Sequence, residues 1–278
     1  MVAGCAHPPL AGAGPTAPPP GIRYAFTVRD EIRSEVLDAA GRPVAVPGLG
    51  TEALAWEGGL DLAFGRSFPD DSVGWLVRLG TVRASVDGVP VQASADPSGL
   101  SLELRAFPSR EILAVDLLDH LVGAPRHGDL LLPLLLALSP AVPEVPVGSR
   151  TSRRVNLPIL PEPGRGVRTA WDLAWIRLED APREDGRCIA FRWTGPMEGR
   201  GGDGGDGWAA RYEVAGTASG ETCLGREDFH PVSGFLDWDA TITTTFGVAT
   251  GAGSYQARGV LRQHHAWSGR VSRTGGVP

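Results

Sequence analysis

Alternation with a period of two residues governs what this chain can fold into. From Tyr24 to Val36 the even positions carry Tyr24, Phe26, Val28, Asp30, Ile32, Ser34 and Val36, and the odd ones include Arg29, Glu31, Arg33 and Glu35. Successive side chains of a strand point to opposite sides, so such a segment suits a strand with one face buried and one in water. Leu236, Trp238, Ala240, Ile242, Thr244 and Phe246 alternate in the same way with Asp237, Asp239, Thr241, Thr243 and Thr245. Leu100, Leu102 and Leu104, and Trp208, Ala210, Tyr212 and Val214, repeat the pattern. Weaker runs cover residues 52–64, 73–86, 89–95, 148–157, 168–180, 187–194, 221–229 and 254–267. Asp87-Gly88, Ser98-Gly99 and Ser219-Gly220 read as turns between them. The short spacings favour antiparallel connections over parallel crossovers.

One stretch departs from the alternation. Ser109 is placed to cap a helix over Arg110–Val122, with Ile112, Val115 and Leu118 on one stripe, and a second short helix is expected over Asp129–Leu138 around Pro133. Pro140, Pro143 and Pro146 close this insert, about residues 109–138. The longest apolar run, Leu130–Leu138, is far shorter than the ~20 residues of a membrane-spanning helix. All 26 basic residues are arginine, which excludes a lysine Schiff base or P-loop lysine. With 32 acidic residues the net charge is −6, so no nucleic-acid partner is expected.

The chain opens Met1-Val2-Ala3-Gly4-Cys5, which resembles the lipobox of bacterial lipoproteins, in which cleavage precedes a cysteine that then carries a diacylglycerol. The resemblance implies lipidation of Cys5, a membrane partner through that anchor, and a leader upstream of Met1, since a signal peptide needs an apolar stretch of ~7–15 residues. Ala6, rather than aspartate after the cysteine, implies sorting to the outer membrane. The Pro/Gly/Ala-rich stretch to residue 21 reads as a tether, residues 22–270 as a single β-rich domain, and 271–278 as a flexible tail. The alternative is a soluble protein with an incidental Cys5. If the resemblance holds, two cysteines remain, and in an exported domain Cys188 and Cys223 are expected to pair, against the alternative of two buried free thiols.

The layout of about five strands, two helices and about six strands is similar to the outer-membrane lipoprotein carrier and its mycobacterial lipid-binding relatives. It is also similar to bacterial lipoprotein domains with a Val-x-Val-Gly-like turn, here Pro143-Glu144-Val145-Pro146-Val147-Gly148. The resemblance implies a mainly β (α+β) fold, a large curved antiparallel sheet or half-barrel with two central helices across its concave side.

No motif points to catalysis: Gly-x-Ser-x-Gly, Ser-x-x-Lys and His-Glu-x-x-His are all missing. No cofactor and no metal are expected. The single Gly201–Gly207 run lacks the stacked copies of calcium-binding β-rolls and reads as a hairpin loop. His264 and His265, adjacent on a strand-like run, should point to opposite faces. Asp237 and Asp239, about 7 Å apart on one face, have a spacing that suits a glycosidase pair or a metal, but the threonines beside them favour a solvated outer face. The remaining feature is tryptophan. Trp171, Trp175, Trp193, Trp208 and Trp238 fall on apolar faces, either as core or as the lining of a cavity for a lipid or other hydrophobic ligand. The expected function is non-enzymatic binding of such a ligand or of an envelope protein partner. A structural or assembly subunit of an envelope complex is the alternative, and a hydrolase ranks last.

Overall fold

The computed structural model describes residues 21–70, 73–91, 101–106, 112–117, 146–162, 165–183, 186–205, 208–225, 230–250 and 254–276. Within them the chain forms β1 (Gly21–Asp38), β2 (Pro43–Val44), β3 (Thr51–Ser67), β4 (Val73–Val86), β5 (Val89–Val91), β6 (Ser101–Ala106) and β7 (Ile112–Leu117). The second half supplies β8 (Arg150–Glu162), β9 (Arg165–Arg177), β10 (Ala181–Arg183), β11 (Gly186–Gly205), β12 (Trp208–Leu224), β13 (Pro231–Thr250) and β14 (Ser254–Gly276). Eleven of these make one open antiparallel sheet in the order β7-β6-β4-β3-β1-β14-β13-β12-β11-β9-β8, with β2, β5 and β10 as short additions to β1, β4 and β11.

The order joins two meanders. Strands β1–β7 lie on one side and β8–β14 on the other, and the β1·β14 ladder, running from Ile22↔Gly276 to Asp38↔Gly259, joins them. The alternation seen in the sequence decides which face is buried. Tyr24, Phe26 and Val28 on β1, Trp56, Leu60 and Leu62 on β3, and Trp171, Leu173 and Trp175 on β9 are all buried. The opposite face carries charge in cross-strand pairs: Arg23–Asp61, Arg83–Glu57, Arg192–Glu221 and Arg262–Glu35. A membrane-spanning barrel presents an apolar band outward; the outward face of these strands does the reverse. Among the described residues, no helix is long and apolar enough to cross a membrane.

The buried face is the concave one. β4 and β13 are separated in the sheet by β3, β1 and β14, yet Trp75 on β4 meets His230, just before β13, edge to face at 5.1 Å between centroids. Only a strongly curled sheet allows that contact. The same end is buckled by the Cys188–Cys223 disulfide between β11 and β12, with Cα atoms 5.5 Å apart and 35 residues between them in sequence. By the chain-entropy relation a bridge of that span contributes about 4 kcal/mol. Arg177 closes off this disulfide end: it is buried, paired with Asp180, donates to the Leu178 and Ala190 carbonyls, and lies over the Phe191 ring at 5.4 Å.

Local chemistry fixes the turns. Asp87 and Gly88 have φ of 50° and 77°, the left-handed pair that a tight β4–β5 hairpin needs. Pro146 accepts from the Ser149 N–H at 3.0 Å around Gly148 at φ 81°, a type II turn that delivers the chain to β8. Ser219-Gly220, expected as a turn, instead lies inside β12. A Cβ on Gly220 would stand 2.1 Å from Cζ2 of Trp193, so the glycine is there to let the indole lie against the neighbouring strand. The helix expected over Arg110–Val122 is also corrected. Residues 112–117 are strand β7, whose backbone pairs with β6 from Leu102↔Leu117 to Ala106↔Ile112. Its Ile-Leu-Ala-Val-Asp-Leu sequence satisfies a helical stripe and a strand equally, and a neighbouring ladder decides between them. The remainder of that segment, the expected Asp129–Leu138 helix, Ser98-Gly99 and the tether with Cys5 lie outside the described residues.

Replacing Gly220 by alanine is expected to destabilise the fold by about 1–3 kcal/mol through overpacking against Trp193. The same change at Gly80, where an added Cβ meets nothing closer than 3.4 Å, is expected to be near neutral. Urea denaturation of the two variants checks the contrast.

Candidate functional site

Along the concave face, burial changes from one end to the other. At the disulfide end Trp171, Trp175, Trp193, Phe191 and Leu224 are almost wholly shielded. Toward the opposite end the same face becomes half-buried at Ile32, Ser34 and Val36 on β1, at Gln263 and Leu261 on β14, and at Ile242 and Tyr212 on β13 and β12. Phe246 and Trp208 finish the face at 43% and 41% exposure. Among the described residues the concave face is thus a cup, sealed at the disulfide end and more exposed at the other, where Ala210 and Thr244 are still buried.

Of the five tryptophans singled out from the sequence, Trp171, Trp175, Trp193 and Trp238 are buried on the concave face, while Trp208 stands at its exposed rim. Trp175 and Trp193 are cross-strand partners with centroids 5.5 Å apart. Trp171 donates its indole N–H to the buried Thr169 hydroxyl at 2.7 Å. Trp267, which the alternation did not single out, pairs with Trp238 across β13 and β14, stacked at 6.2 Å.

Between base and open end lies a polar pair. Asp30, 3% exposed, and His265 share a hydrogen bond of 2.9 Å between Oδ2 and Nδ1. The register explains it: Asp30 stands opposite Trp267, Ile32 opposite His265, and all four lie on the ladder that joins the two meanders. The His265 ring stacks on Trp238 with centroids 5.6 Å apart. Asp30 Oδ1, His265 Nε2 and the indole nitrogens of Trp175, Trp193, Trp238 and Trp267 are buried and have no hydrogen-bond partner. From the pair a polar line continues toward the open end through Ser34, Gln263, whose Nε2 is 3.5 Å from Ser34 Oγ, and buried Thr244.

The adjacent histidines diverge as strand geometry requires: His265 points into the cup, and His264 lies outside, 3.4 Å from Asp239. Asp237 and Asp239 belong to the solvated face. Partial burial pushes the Asp237 carboxyl up from its ordinary value, and the nearby Arg270 charge opposes that rise. The Gly201–Gly205 stretch extends β11 against β12 from Gly201↔Tyr212 to Gly205↔Trp208. Among the described residues, no group of His, Cys, Asp and Glu side chains is placed to hold a metal ion. The alternation had already put Asp30 and Ser34 on an otherwise apolar stripe. A charged residue in a core-facing register was the signal, but its partner is 235 residues away and belongs to a different run.

Neither protein-family models nor curated proteins match the chain.

Removing one member of a buried pair leaves the other uncompensated, at about 3–5 kcal/mol, whereas an apolar replacement of both is far better tolerated. His265→Leu and Asp30→Leu are each expected to lower stability by that order, and the double variant to recover most of the loss. A double-mutant cycle from denaturant unfolding measures it.

Proposed function

We propose that this protein is an exported lipoprotein, anchored through Cys5 in the outer membrane, that binds a hydrophobic ligand in the concave face of its sheet and catalyses no reaction. The observation that carries the ligand reading is the gradient along that face: a tryptophan-rich apolar surface, sealed at the disulfide end, emerges half-buried at the other. Strand number supports it. Side chains fill a barrel of about eight strands, and wider curved sheets enclose more room than side chains occupy; here the sheet runs to eleven. Charged pairs on the outer face let such a sheet stay in water while its interior, apolar apart from the Asp30–His265 and Arg177–Asp180 pairs, takes an apolar guest. The disulfide supports the export component, because bridges of this kind persist in oxidising compartments. The tether and the lipobox-like start support the anchor.

A second reading, docking on an envelope partner, is favoured by one specific observation. Val44, Val46, Leu49, Val89, Trp208 and Phe246 are each at least 37% exposed and lie toward the open end, while exposed Val147 lies beside Arg177 at the disulfide end. Exposed apolar residues gathered at one place mark contact surfaces. Loading from a membrane or a partner through this rim joins both readings in one account.

Native mass spectrometry of the protein purified from its own membranes tests the proposal. A chain beginning at acylated Cys5, carrying a second, non-covalent lipid mass that a denaturing spectrum loses, is expected. An unacylated chain would refute the anchor, and an absent second mass would refute the resident ligand.

A further inference from the structure

We infer that the concave face recognises the hydroxyl head of an otherwise aliphatic ligand, at a site formed by Asp30, His265, Trp238 and Trp267. The inference rests on the ligand reading above and specifies its chemistry. Buried polar atoms in folded proteins are almost always hydrogen-bonded, and one left unpaired costs about 1–3 kcal/mol. Thr169 satisfies the Trp171 indole, while those of Trp175 and Trp193 are buried without a partner at the closed base. Around Asp30 an acceptor and donors are unpaired together. Asp30 Oδ1, an acceptor, and the Nε1–H donors of Trp267 and Trp238 are buried with nothing to bond.

These groups are neighbours by register, Asp30 opposite Trp267 and Trp267 opposite Trp238. An open acceptor beside open donors is complementary to a group that is both donor and acceptor, which a hydroxyl is. Its O–H donates to Asp30 Oδ1, and its oxygen accepts from an indole N–H. His265, bonded through Nδ1 to Oδ2 and stacked on Trp238, is a positioning residue that fixes the carboxyl group and leaves Oδ1 for the ligand. A fatty acid with its head at this site would bring a carboxylate against the Asp30 carboxyl. An alkane would leave every open group unpaired. The line of Ser34, Gln263 and Thr244 gives the head a polar path inward from the open end.

Binding of 1-dodecanol, dodecanoic acid and dodecane to the full chain, followed by quenching of tryptophan fluorescence, tests the site. The alcohol is expected to bind roughly ten-fold or more tightly than either of the others. Trp267→Phe keeps an aromatic ring and removes the N–H together with the pyrrole half of the indole. It is expected to erase much of the alcohol's advantage over dodecane. Equal affinity for alcohol and alkane, or an equal weakening of all three by Trp267→Phe, would overturn the hydroxyl site alone. No binding of any of the three would overturn the ligand reading beneath it.

Discussion

The structure depends on one ladder, the pairing of the first strand with the last. β1 and β14 come from opposite ends of the chain, yet they lie side by side in the middle of the sheet and join the two meanders. A sheet assembled this way closes its longest loop late, because chain entropy must be overcome before that contact forms. The ladder is accordingly dense with side-chain contacts: Arg262 with Glu35, Gln263 with Ser34, His265 with Asp30, and the Thr274 hydroxyl with the Arg23 carbonyl. A shift of one residue would turn every apolar side chain of β1 into water. A shift of two would keep the faces but part Asp30 from His265. The buried pair therefore sets register at the junction as well as lining the cup, a use for which buried polar groups are well attested.

From this arrangement the shape follows. Both meanders have one apolar face, and neither can bury it alone as a flat sheet. Curling each toward the other shields the tryptophans of β9, β11, β13 and β14, and the Trp75–His230 contact and the buried Arg177 close one end. Nothing comparable covers the described residues at the other end, where the same stripe ends in exposed Phe246 and Trp208. The functional proposal grows from this asymmetry.

Much of the fold could be read from the chain because strand alternation is a local property. The β1, β13 and β12 runs, the Asp87-Gly88 hairpin and the divergence of His264 from His265 are all decided within a few residues. The disulfide was also legible, through cysteine count joined to the export reading. What could not be read depends on distant partners. Ser219-Gly220 resembles a turn until Trp193 is known to lie against Gly220. Residues 112–117 carry a helical stripe that only the β6 ladder overrides. The Asp30–His265 pair was half visible, as a carboxylate on a core-facing stripe, and its other half required the pairing of the two chain ends.

Crystallography with a long-chain alkyl bromide tests the central claim, that the concave face holds an aliphatic guest, most directly. Anomalous bromine density is expected inside the cup, among Trp238, Trp267 and the residues leading to the open end. Bromine found only on the outer face, or an interior filled by side chains with no bromine at all, would contradict it.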